Sequence, residues 1–277
     1  MFTEESLAHH YFTVPNSGIT YQITGSGSPL IFAHGLGGNL LSWWQQVPYF
    51  ADNHTCITFS QRGFFPAKAN NNTVEKINPD RFVDDLTTLI NHLNLEKVSL
   101  IGQSMGGRCC LDYATRYPAK VTVLILSSST GAISHESLLP NCYELRRWRL
   151  RAESAITKCQ QQQINPAAGI RMAAEQPALH LLYQSINHLN IAINKEAIRA
   201  QLQKTSRPFN PSTPVICPML LITGEEDIIF PPMAASALAR LLPNSECHCI
   251  PKAGHSVYFE RPQLFNSLVK AFLAQNL

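Results

Sequence analysis

Residues 98–107 read VSLIGQSMGG. An apolar run of strand character leads into Gly102-Gln103-Ser104-Met105-Gly106, and the residues beyond the serine are able to start a helix. G-x-S-x-G between a strand and a helix predicts a strained turn that lifts the serine hydroxyl clear of the backbone. The flanking glycines are expected where a Cβ would clash as strand and helix pass close together. Alone, the pattern also fits a turn in a Gly-rich loop, so its meaning depends on the rest of the chain.

Other apolar runs of strand length lie at 30–33, 56–59, 121–126, 218–223 and 246–250. A hairpin signal, 11–14 and 19–24 around Pro15-Asn16-Ser17-Gly18, opens the chain. Unbroken rather than alternating apolar runs suit strands covered on both faces. Helical segments are predicted between them, at 81–93, at 105–117 before Pro118, and at 263–274 after Pro262. The fold class implied is α/β, with a mostly parallel central sheet covered by helices. The alternation breaks once. From 132 to 211 no strand is predicted but helices are, including the basic NCYELRRWRLRAES at 141–154. SRPFNPSTP at 206–214 reads as a linker back to the sheet. The expected organisation is a core of 1–131 and 212–277, with a helical cap of 132–211 inserted after the sixth strand.

With 277 residues, 45% of them hydrophobic, the chain can bury a sizeable core. A net charge of +3 implies neither nucleic acid nor a membrane surface as partner. Residues 1–10, MFTEESLAHH, lack the apolar region of a secretory signal, and no apolar stretch reaches the ~18 residues of a membrane span. A cytoplasmic protein with free thiols is therefore expected, despite eight cysteines. Cys247-His248-Cys249 resembles half a metal site, but in a strand its thiols face away from the ring, so no metal is expected.

A serine hydroxyl needs a base to take its proton and a third group to orient that base. After an elbow of this kind the partners come in the order serine, acid, histidine, on loops leaving the strands' carboxyl ends. His248 lies inside a predicted strand, whereas His255 follows Ala253-Gly254 in a loop, the place for a base. Among Glu225, Glu226 and Asp227, the short side chain of Asp227 best fits the turn Gly224-x-x-Asp227-x-x-x-Pro231. Donors for an oxyanion are expected from the backbone N–H of Met105, at a helix N-terminus, and of Leu36 in the loop His34-Gly35-Leu36-Gly37-Gly38.

In order, HGLGG, FSQRGFFPAK, GQSMGG, GEEDIIFPP and AGHSVYFERP resemble the α/β-hydrolase superfamily, specifically carboxylesterase-like serine hydrolases with a helical cap. One departure stands out. Relatives carry Asp-x-Arg-Gly-x-Gly-x-Ser after the fourth strand, whereas Ser60-Gln61-Arg62-Gly63-Phe64-Phe65-Pro66-Ala67 lacks the acid, the second glycine and the final serine. Arg62 is thus expected to lack its nearby carboxylate, and Phe64 and Phe65 either narrow the pocket or pack in the core.

The resemblance implies no cofactor, a small-molecule substrate, and hydrolysis of a small or medium carboxylic ester through Ser104, His255 and Asp227. Trp148 and aliphatic neighbours in the cap are expected to shape a largely apolar pocket and touch substrate. Carbon–carbon hydrolases of ring degradation share the elbow but place tryptophan directly after the histidine, where this chain has Ser256. The SHCHC synthase of menaquinone synthesis resembles it in an arginine after the elbow glycines, here Arg108. From another class, the fold also serves as a small-molecule receptor that retains the triad. Arg146, Arg147, Arg149 and Arg151 read as a solvated helix face or as a carboxylate-binding cap cation.

Overall fold

The computed structural model describes residues 11–66, 77–191, 193–212 and 215–277. The N-terminal decapeptide, Ala67 and Lys68 of the FSQRGFFPAK segment, and Thr213 and Pro214 of the linker lie outside the described residues. Each apolar run forms a strand: β1 Phe12–Thr13, β2 Thr20–Thr24, β3 Ser28–Ala33, β4 His54–Ser60, β5 Val98–Gln103, β6 Val121–Ser127, β7 Met219–Gly224 and β8 Ser245–Ile250. They make one sheet in the order β1-β2-β4-β3-β5-β6-β7-β8. The first two strands pair antiparallel, and β3 through β8 are parallel.

Alternation along each strand sends side chains to two separate cores. Ile31, Ala33, Leu100, Leu124 and Leu126 pack with helices Phe82–His92, Met105–Arg116 and Pro232–Leu241 on one face. Leu30, Phe32, Ile101, Val123 and Ile125 meet Phe265, Val269 and Phe272 of the last helix, Pro262–Asn276, on the other. Central strands β5 and β7 are buried along their whole length, which accounts for the absence of polar–apolar alternation in them. In edge strand β8, Cys247 packs toward Ser236 while His248 sits 3.6 Å from the Glu246 carboxylate, so thiol and ring do diverge. All eight cysteines are free. Among the described residues no helix is long and apolar enough to cross a membrane.

Between β6 and β7 the chain forms helices His135–Leu138, Tyr143–Gln161, Gly169–Glu175, Pro177–His188 and Lys195–Lys204. The two ends of this excursion are stitched together. Arg207 N–H donates to Ala132 O and Ser134 N–H to Arg207 O, both at 2.8 Å. The Arg207 guanidinium also pairs with Asp112 of the helix that follows Ser104. Buried Arg108, on the same helix, pairs with Asp80 and donates to Leu202 O at 3.3 Å, Thr205 O at 3.1 Å and Thr205 Oγ1 at 2.8 Å. It closes off the carbonyl end of the Lys195–Lys204 helix.

Arg62 corrects the sequence reading. Its Nε donates to Asp85 Oδ1 at 2.8 Å and Oδ2 at 2.9 Å, so a carboxylate is supplied by helix Phe82–His92 rather than by the missing upstream acid. Burial pushes the Asp85 carboxyl above its ordinary range, and the Arg62 hydrogen bonds pull it back only in part. Removing the cation leaves a fully buried carboxylate without its ion pair. Arg62→Ala should therefore cost about 3 kcal/mol of unfolding free energy, read as a drop in the urea midpoint. Phe64 is a core residue, edge-on to His34 and Phe82. Phe65 donates its N–H to Asn190 Oδ1 in the inserted helices at 3.0 Å.

Candidate active site

Ser104 sits at φ +51°, ψ −115°, between β5 and helix Met105–Arg116. That conformation costs an L-residue roughly 1–3 kcal/mol and persists only where its surroundings over-determine it. They do so here. A Cβ on Gly102 would come within 2.7 Å of Gly106 O, and one on Gly106 within 2.2 Å of Ala33 O. Ser104 N–H donates to Ser127 O at 2.8 Å, and Ser129 Oγ donates to Ser104 O at 2.8 Å, pinning the turn to the end of β6.

The acid and the histidine come from the loops after β7 and β8. Asp227 Oδ2 and His255 Nδ1 are 2.8 Å apart, both side chains buried. The other carboxylate oxygen, Oδ1, accepts from Ile229 N–H and Phe230 N–H at 2.8 Å each, so the carboxylate cannot rotate. An ionised carboxylate only accepts, which places a proton on Nδ1 and leaves Nε2 to receive one. The loops are zipped together by Glu225 N–H to Ile250 O and Glu226 N–H to Ala253 O. Buried Glu260 accepts from Gly254 N–H at 2.7 Å, directly before His255. Glu225 is exposed, and Glu226 is engaged by Arg171 of the inserted helices. His248 stays in β8, away from this cluster.

Ser104 and His255 line the same cavity, although no hydrogen bond joins Ser104 Oγ to the ring among the described residues. Serine–histidine contacts of this kind tighten when substrate binds. The backbone N–H groups of Leu36 and Met105 have no partner among the described residues, and both residues border this cavity. Behind Leu36, a buried clamp holds the loop. His34 Nδ1 lies 2.8 Å from Gly35 O, Gln61 N–H donates to His34 Nε2 at 3.1 Å, and Gln61 Nε2 donates to His34 O at 3.1 Å. Gln61, which in the sequence registers only as part of a departure, thereby braces the candidate oxyanion loop.

Burial drives the His34 pKa down from 6.5 to about 4, and its bond to Gly35 O only partly offsets this. The unfolded chain therefore binds a proton on this ring at a higher pH than the folded one. His34 contributes stability above pH 6.5 that is lost as pH falls toward about 4, on the order of 3 kcal/mol in all. Urea unfolding across that window should show the loss, and His34→Gln should flatten that part of the profile. An unchanged slope would refute the assignment.

The sequence matches the alpha/beta hydrolase fold family model over residues 28–155 and 139–262. The chain belongs to the α/β-hydrolase fold family. It is 28% identical to a provisional 2-succinyl-6-hydroxy-2,4-cyclohexadiene-1-carboxylate synthase of Bacillus subtilis, over 93% of this chain and 96% of that protein. It is 28% identical to 2-hydroxymuconate semialdehyde hydrolase of Pseudomonas sp. CF600, covering 91% and 89%. Among solved structures it is similar to a thermophilic esterase of Thermogutta terrifontis, at 25% identity and a TM-score of 0.69 over 93% of each chain. As an α/β-hydrolase with such relatives, the protein is an enzyme.

The cavity of this α/β-hydrolase measures about 610 Å³, and its wall mixes apolar with polar and charged side chains. Leu36, Ile164, Ile186, Leu202 and Ile229 line it, but so do Lys195, Arg199, Gln203, Asn187 and Asn165. Helix Lys195–Lys204 of the inserted segment buries only Ile198, and its Lys195 and Arg199 border the cavity. A second cavity, of about 500 Å³, shares Ser104, Met105, Arg199 and His255 and is bordered by Trp148. The Trp148 indole N–H donates to Asp227 O at 2.9 Å, so the residue also docks helix Tyr143–Gln161 onto the acid loop. Trp43 is fully buried against Phe32 and Tyr258. Of the arginine run, Arg146, Arg147 and Arg151 are exposed and Arg149 pairs with Glu136.

Proposed function

We propose that this α/β-hydrolase cleaves a small or medium carboxylic ester through a Ser104–His255–Asp227 triad and an acyl-enzyme. The observation that carries the reading is the buried 2.8 Å pair of Asp227 and His255 facing the cavity that Ser104 enters from a strained turn. Ser104 Oγ attacks the carbonyl carbon while His255 Nε2 takes its proton, and the carbonyl oxygen gains the electron pair. The Leu36 and Met105 N–H groups receive that oxyanion, and the helix dipole at Met105 adds to them. Collapse of the intermediate expels the alcohol, which leaves with the proton from His255. Water, deprotonated by the same nitrogen, then attacks the acyl carbon, and a second collapse returns Ser104 and releases the acid.

Residues 132–211 act as the cap in this reading: they carry much of the cavity wall, and Trp148 fastens them over the acid loop. Eight free thiols fit a reducing, cytoplasmic setting. Ester cleavage is favoured over carbon–carbon cleavage by Ser256, whose hydroxyl donates to Tyr183 Oη at 2.9 Å where ring-degradation enzymes place tryptophan. Arg108, the feature shared with SHCHC synthase, is committed to Asp80, Leu202 and Thr205. The test is fluorophosphonate labelling with peptide mapping, followed by p-nitrophenyl esters of rising chain length and a vinylogous 1,5-diketone. An adduct on Ser104 and ester turnover are expected. Diketone cleavage with negligible esterase activity would replace this reading, and tight ligand binding with near-absent turnover would favour a receptor.

A further inference from the structure

We infer that the substrate carries a carboxylate besides its scissile ester, and that Arg199 and Lys195 of helix Lys195–Lys204 receive it inside the cavity above Ser104. This deepens the ester-hydrolase reading and rests on it. Both cations border the cavity that holds Ser104 and His255, and no aspartate or glutamate is among its described lining residues. They are four residues apart on one helix, so they occupy the same face, and a like-charge pair at that spacing destabilises the helix.

No described carboxylate compensates the pair. Arg199 makes no hydrogen bond or ion pair with any described residue, and it borders both cavities that reach Ser104. The one carboxylate bordering the second cavity, Glu136, is taken by Arg149. Half-buried Lys195 donates to Asn187 O at 3.2 Å and to Asn187 Oδ1, which holds its ammonium in place and leaves one N–H uncommitted. Burial, and then the charge of Arg199, hold that ammonium below its ordinary pKa, as expected of a cation whose counter-ion has yet to arrive. A guanidinium fork and one ammonium N–H match a planar carboxylate, which accepts two parallel bonds from the fork and a third from the lysine. The pocket volume of about 610 Å³ accommodates a short diacid monoester.

The experiment compares p-nitrophenyl hexanoate, mono-p-nitrophenyl adipate and 3-carboxy-4-nitrophenyl hexanoate, the last two carrying the anion on the acyl or the alcohol side. One of the two anionic esters should exceed the neutral one in kcat/KM by roughly ten- to hundred-fold. Arg199→Ala should collapse that ratio, chiefly through KM, and Lys195→Met should lower it. Lys270→Ala, a cation over Tyr49 outside the cavity, should leave the ratio where it was. A second readout needs no turnover: free adipate should slow fluorophosphonate labelling of Ser104 in the wild type and lose that effect in Arg199→Ala. Labelling of Ser104 with no preference for an anionic ester and no protection by adipate overturns this inference and leaves the hydrolase reading standing. Failure of Ser104 to label in folded protein overturns both.

Discussion

Ser104→Ala should lower kcat/KM for ester hydrolysis by roughly 10⁶-fold, since nucleophile and base act as a unit and losing either removes most of the benefit of both. The fold should survive. Ser104 Oγ makes no hydrogen bond among the described residues, and alanine meets the same backbone strain at φ +51° that serine does. The unfolding free energy should therefore stay within about 0.5 kcal/mol of the wild type. His255→Ala should reach a comparable floor of activity. His248→Ala should not, because that ring lies on β8 beside Glu246 and remote from the cavity. A variant lacking Ser104 that retains a tenth of the activity would end the covalent mechanism.

Asp227→Asn should cost roughly 10⁴-fold in kcat, against little change for Glu226→Gln. The geometry gives the reason. Asp227 Oδ1 is held by two backbone N–H groups, so the amide of an asparagine would keep its oxygen there and turn its NH₂ toward His255 Nδ1. A donor facing Nδ1 forces the proton onto Nε2, the tautomer that cannot accept from serine. The loss should appear with the fold intact. Glu226, bound to Arg171 at the surface, has no such lever. Equal losses for the two variants would mean the acid is misassigned.

How much could be read from residues alone depends on where the relevant interactions lie along the chain. The strands were legible because a doubly covered strand is mostly apolar on both faces, and β5 and β7 are buried at every position. The elbow was legible because its constraints are local, with Gly102 and Gly106 two residues either side of Ser104. Asp85 was missed as the partner of Arg62. It arrives from 23 residues downstream on a helix, and its neighbour Asp84 looks identical in sequence yet faces Arg116. Gln61 was passed over for a related reason: its role is to hold His34, a contact across 27 residues. The inserted segment resisted most. Its helices bury few residues, so hydrophobic pattern carries little information there, and the arginine-rich stretch drew attention while the cations at the cavity, Lys195 and Arg199, stood on a different helix.

The bridge joining Ala132 and Ser134 to Arg207 has an evolutionary corollary. Because the excursion departs and returns at one point, β6 and β7 meet a closed pair of strand-like ends, while its other ties to the core, at Asn190, Trp148 and Arg171, run to loops rather than to these strands. An insertion fastened at its neck can be lengthened, shortened or exchanged for another without shifting β6 or β7, and so without disturbing Ser127, on which the Ser104 turn is hung. Substrate preference can then diverge by swapping one segment while the reacting groups stay in register. A chimaera grafting a different cap between residues 134 and 207 should fold and keep Ser104 reactive toward fluorophosphonate, while answering to a different set of esters.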